Sequence, residues 1–341
     1  MNSRVRALRA FGMLAVICLL GRGAAAQSAT SRIVSAANGF LSSLDEKQRK
    51  SVLFAFDDAE QRVRWSNLPV RAVRRAGMNL GEMSGPQRSA ALALLSAALS
   101  RGGFEKVQEI MDGDESLKTN GNNSMFGKDL YYFSILGTPS EKSTWMLQFG
   151  GHHLALNITI AGTQGILTPS LTAAQPALYT MGGKTVRPLG QENDKAFALL
   201  AALDEDQRKQ AILNYRVSDL VLGPGKDGKT IQPEGLKVSA MNDGQRTMLL
   251  DLIKEWAGII HDSAANARMA EIKAGLADTW FAWSGPTTAV PGKNGTSYYR
   301  IQGPNLVIEY APQQMGGDPS MHIHTIYRDP TNDYGKKFIG K

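Results

Sequence analysis

Cysteine is almost absent: the 341-residue chain has one, Cys18. It lies in an N-terminal stretch that reads as a leader. Arg4, Arg6 and Arg9 precede an apolar run from Phe11 to Leu20, and Ala24-Ala25-Ala26 then precedes Gln27. A basic start, a short apolar run and an A-x-A exit form the pattern of a secretory signal peptide cleaved near Ala26. Ile17 stands where lipid attachment to Cys18 would need a small residue. The mature chain would then have no disulfide, no thiolate nucleophile and no Cys-ligated metal, and only its core to hold it together. The expected location is periplasmic or secreted.

Long apolar runs are missing as well. Crossing a bilayer takes about 20 residues, so the mature chain is expected to have no membrane span. The excess of positive charge is partly an effect of the leader, whose four arginines account for the fall from +7 to +3 on cleavage. A nucleic-acid partner thereby loses its main support. There is no G-x-S-x-G elbow and no H-E-x-x-H helix. Gly223 to Thr230 spells a phosphate loop, but Pro233 and Gly235 follow where a helix would have to begin, so no nucleotide is expected.

What is present is a repeated helix start. Asp45 to Arg49, Ser84 to Arg88, Asp204 to Arg208 and Asn242 to Arg246 each set Ser, Asp or Asn three residues before a Gln-Arg pair. This spacing predicts capping boxes. The intervals are 39 within the first pair and 38 within the second, and the pairs are offset by 159 and 158. A fifth match, Asp58 to Arg62, has no counterpart near 217. The segments Tyr131–Ile160 and Thr279–Pro312 each read as two strands about a turn, with Leu154-Ala155-Leu156-Asn157 opposite Leu306-Val307-Ile308-Glu309. The expectation is an α+β fold of two similar α-then-β halves from an internal duplication, helices packed on mainly antiparallel sheet. Their bounds are 31–165 and 190–341, with a connector over 166–189 and the leader over 1–26; the halves could also form one compact domain.

Histidine is scarce but clustered. Of five, four are His152-His153 and His322-Ile323-His324. On a strand an H-x-H pair aims both imidazoles at one side, with Arg328 on the same face. If 152–160 is strand, His152 goes with Leu154 and Leu156, and His153 with Ala155 and Asn157. Glu309 takes the place of Asn157 in the second half. His153, His322, His324 and Glu309 are therefore the first-choice constellation, with His152 an outer residue or an alternative ligand if the preceding glycines form a bulge. Such donors suit Zn, Cu or Fe and exclude an oxygen-only Ca or Mg site.

Other groups read as structural. Arg71, Arg74 and Arg75 fit a solvated helix face, and His261 a helix end where a cation complements the dipole. Asn157 and Asn294 head glycosylation sequons, the former on a buried strand.

Trp145 through Leu154 (W-M-L-Q-F-G-G-H-H-L) with Asn157 resembles the hallmark of a mostly bacterial family, domain-of-unknown-function family 3500. Thr168-Pro169-Ser170, Gln175-Pro176-Ala177, Gly190 with Glu192, the Gln-Arg helix starts, Glu255-Trp256 and His322-Ile323-His324 resemble its further blocks. Gln175 stands where that family often has an acidic residue, so any role for a carboxylate there is in doubt. The resemblance covers most of the mature chain and implies an exported protein of unestablished activity. It carries over no catalytic residue.

Three functions follow as expectations. One is an exported metal-dependent hydrolase or oxidase, with Glu309 or Glu192 as base or ligand and Arg328 holding an anionic group of an unknown small-molecule or polymer substrate. Another is a non-catalytic metal-binding or metal-handling protein. The third is a structural or carbohydrate-binding module using Trp145, Trp280 and Trp283 along a groove.

Overall fold

A computed structural model describes residues 28–315 and 317–339; the expected leader lies outside the described residues. The first half begins with helices α1 (Ala29–Ser42), α2 (Glu46–Val52), α3 (Ala59–Arg62), α4 (Gly85–Ala98) and α5 (Arg101–Gly121). Among them run the two-residue strands β1 (Leu53–Phe54) and β2 (Met78–Asn79). Strands β3 (Tyr132–Leu136), β4 (Trp145–Gly151), β5 (Leu154–Ala161) and β6 (Gln164–Ala174) follow, then a small hairpin of β7 (Tyr179–Met181) and β8 (Lys184–Val186). The second half runs α6 (Gly190–Ala202), α7 (Glu205–Ala211), β9 (Leu236–Lys237), α8 (Asp243–Ala257) and α9 (Asp262–Ala274). It closes with β10 (Trp280–Ser284), β11 (Tyr298–Gly303), β12 (Leu306–Pro312) and β13 (Ile323–Arg328).

The halves share one 11-stranded sheet in the order β1-β3-β4-β5-β6-β13-β12-β11-β10-β9, with β2 beside β3. Pairing is antiparallel except between β1 and β3. The fold is thus α+β. The segment expected as a connector contains most of β6, which lies at the middle of the sheet against β13.

All four capping boxes form, with both reciprocal hydrogen bonds. The structure also shows why Gln and Arg recur. Gln48 bonds Gln87, and Gln207 bonds Gln245, so each glutamine caps its own helix and ties it to the other. Each motif arginine reaches back eight residues to a carbonyl: Arg49 to Leu41, Arg88 to Leu80, Arg208 to Leu200 and Arg246 to Val238. The fifth match is a different device. Asp58 caps α3, but Gln61 turns inward to Ser134 and Gln148.

Strand alternation divides the core. On one sheet face Leu147, Leu156, Ile301 and Tyr310 pack under the helices in two large clusters. On the other, Met146, Ala155, Leu171, Ala173 and Ile326 form a smaller cluster capped by Trp65, Tyr334 and Leu220 from irregular segments. Trp145 and Trp283 have no exposed surface, so they cannot line a carbohydrate groove. Both sequon asparagines are buried, Asn294 bonding the carbonyl of Ala177. His261 stands at the N-cap position of α9 and not at a helix C-terminus, and burial lowers its pKa. Among the described residues no helix is long and apolar enough to cross a membrane.

Candidate metal centre

The strand expected from His152 onward begins two residues later. Gly151 pairs with Leu154, so His152 and His153 are the two turn residues of the β4–β5 hairpin. The preceding glycines serve close approach and make no bulge. A Cβ on Gly150 would lie 2.4 Å from the carbonyl oxygen of Leu154, and one on Gly151 would lie 3.0 Å from that of Leu130. His153 is left-handed, with φ of 62°. For a residue with a Cβ this costs about 1–3 kcal/mol and persists only where the surroundings impose it. Here the His153 amide donates to Asn67 and its carbonyl accepts from Ala173.

Ala173 is the hinge of the arrangement. It is bonded to His153 on one side and stands opposite His324 on β13 on the other. Its side chain is buried and shares a sheet face with that of His324. His322, just ahead of β13 in extended backbone, brings a third ring. His322 Nε2 lies 3.1 Å from His153 Nε2 and 3.1 Å from His324 Nε2. The three rings are buried, and their donor atoms all lie within 4.8 Å of one another.

The outer partners decide which nitrogens are free. His322 Nδ1 donates to the Met315 carbonyl at 2.6 Å. In the neutral ring Nε2 is then the lone pair. His324 Nδ1 faces Asp219 at 3.6 Å and Asn67 at 3.4 Å. Burial lowers the His322 pKa to about 4, with the charges of His324 and His152 adding to the fall. Burial likewise puts His153 well below its ordinary value, reinforced by the three neighbouring histidines. Burial thus disfavours the charged forms of His153 and His322, and the Nε2 atoms of all three rings meet around one point.

The other expected site residues are occupied elsewhere. His152 is outside the three-ring group: its ring stacks on His153 at 3.6 Å and its Nδ1 meets Asp114. Glu309 shares a sheet face with His324, but its carboxylate accepts from the Val221 and Leu222 amides and from the Tyr298 hydroxyl. Arg328 donates to Leu222, Gly223, Asp227 and Asp333, which holds down the loop that resembled a phosphate site. Glu192 lies under the helices on the opposite sheet face, in an ion-pair cluster with Lys106 and Glu255. Glu309 and Arg328 are both buried, and their bonds engage both carboxylate oxygens of Glu309 and all three guanidinium nitrogens of Arg328. Arg75 is not on a helix. It bonds the carbonyls of Ser66, Leu68 and Gly151, and burial lowers its pKa to about 10. Asn67, Asp114, Ala173, Asp219 and Met315 went unread in the sequence, because no local spacing marks a residue that meets a histidine only through the fold.

Fold and site together define an α+β protein with a buried three-histidine group able to hold a metal ion. The chain belongs to the family described as protein of unknown function (DUF3500), which it matches over residues 26–336. No curated protein and no solved structure matches it.

Proposed function

We propose that this is an exported transition-metal-binding protein whose centre is His153, His322 and His324. The observation that carries the reading is the convergence of three buried Nε2 atoms, two of the pairs 3.1 Å apart. An ion about 2.0–2.1 Å from each would see those pairs at roughly 100°, close to tetrahedral. Three imidazoles without a carboxylate suit Zn or Cu, whereas a mononuclear Fe(II) site commonly adds a carboxylate. The leader-like N-terminus supports export.

Binding without turnover of a bulky substrate is favoured by the surface. Four surface clefts of 440 to 620 Å³ among the described residues have none of these histidines in their walls. Catalysis is the second reading, favoured by the three-member ligand group: a tetrahedral ion would keep one position for water or a small substrate. Elemental analysis of protein purified without chelator or affinity tag tests the proposal against His322→Ala/His324→Ala. About one Zn or Cu per chain in the wild type and none in the variant supports it; no metal in either rejects it.

A further inference from the structure

Beneath His153 lies a second histidine whose surroundings are as ordered as those of the three proposed ligands. Asp114 comes from α5, on the helical side of the sheet, and is 2% exposed. One of its oxygens accepts from the Gly127 amide at 2.9 Å, and the other lies 2.6 Å from His152 Nδ1. The His152 carbonyl accepts from the Tyr131 hydroxyl at 2.8 Å. Its ring is sandwiched between Phe126, at a centroid distance of 4.8 Å, and His153, at 3.6 Å. The ring thus has a carboxylate at its edge, the His153 ring stacked on it and the Phe126 ring tilted against it.

We infer that Asp114 and His152 are positioning residues for the metal centre, holding the His153 imidazole in its ligating orientation from the far side of the sheet. This rests on the metal reading above and extends it. His153 sits in a left-handed turn, with φ of 62°. Its amide and carbonyl are held by Asn67 and Ala173, but the ring plane is held by the stack. An imidazole tilted off its axis loses the lone-pair direction a metal needs. Partners that orient a ligand in this way typically change metal affinity by about 10- to 100-fold when removed.

The test uses the full chain, loaded with Co(II) as the probe, and measures affinity by chelator competition, the visible absorption band and the melting temperature without metal. His152→Phe keeps a ring in the stack and loses the bond to Asp114; Asp114→Asn keeps the shape and loses the charge. Each is expected to weaken Co(II) binding by about 10-fold or more and to shift the band. Because both act through one bond, the double variant should be no weaker than the worse single one. Wild-type affinity and band in either folded variant, with only the melting temperature lowered, would overturn the positioning role and leave the metal site standing. Failure of the wild-type chain to bind Co(II), Zn(II) or Cu(II) would remove both.

Discussion

Two hairpins occupy matching places in the two halves, Gly151-His152-His153-Leu154 between β4 and β5 and Gly303-Pro304-Asn305-Leu306 between β11 and β12. Both have two turn residues, a glycine before and a leucine after. Asparagine tolerates left-handed backbone better than most residues, yet Asn305 does not adopt it, whereas His153 does. The Pro-Asn turn is closed by Arg268 on the Asn305 carbonyl. The His-His turn is held at both backbone ends and under its ring. Fold requirements alone are met by the relaxed turn. The strained one occurs where an imidazole meets two others, His322 and His324.

The largest effect should come from breaking the difference outright. Replacing His152-His153 by Pro-Asn, as in the other turn, should abolish metal binding. It should also lower stability without metal, because the buried Asp114 carboxylate loses its His152 partner and relief of strain offsets only part of that loss. Calorimetric titration and urea unfolding check the two parts, and retained binding would show that His153 is not a ligand. Next in size is Ala173→Val. Ala173 is buried, bonded to His153 and paired with His324, so a larger side chain should displace the two ligand-bearing segments and lower metal affinity by about 10-fold or more, with about 1–3 kcal/mol lost to overpacking. Unchanged affinity would mean the rings do not depend on the size of that side chain.

Acid gives an intermediate effect. Unfolded, His322 takes up a proton near pH 6.5, and folded only near pH 4, because burial disfavours its charged form. Between those values the unfolded chain binds more protons, so metal-free stability should fall as pH drops from about 6.5 to 4. His322→Gln should flatten that part of the urea-midpoint profile; an unaltered profile would assign the acid sensitivity elsewhere. The smallest effect compares the paired glutamines. Gln207 is buried and Gln48 half-buried. Gln207→Ala should therefore cost more than Gln48→Ala, each on the order of 1 kcal/mol. Equal melting temperatures would erase that contrast.

These elements also show what the sequence could and could not yield. The capping boxes were legible because the cap and its glutamine are three residues apart and their bonds are local. The α+β layout followed from those boxes and from strand alternation. Strand alternation points to His153 over His152. The structure reaches the same residue through a turn, where backbone dihedral and not pleat aims the ring. Glu309 and Arg328 were placed on the right face by alternation, but nothing in their spacing reveals that the loop from Val221 to Asp227 takes up their hydrogen-bonding groups. Asp114 and Asp219 come from segments 38 and 105 positions away from the histidines they face, a relation only the folded chain creates.

The most direct test is anomalous diffraction from crystals of the full chain grown with Zn(II) or Cu(II), with data collected at the metal edge. The account predicts one strong peak bonded to His153, His322 and His324 through Nε2, about 2.0–2.1 Å from each. A peak bonded to other residues, or no peak in crystals whose three rings remain clustered, would contradict it.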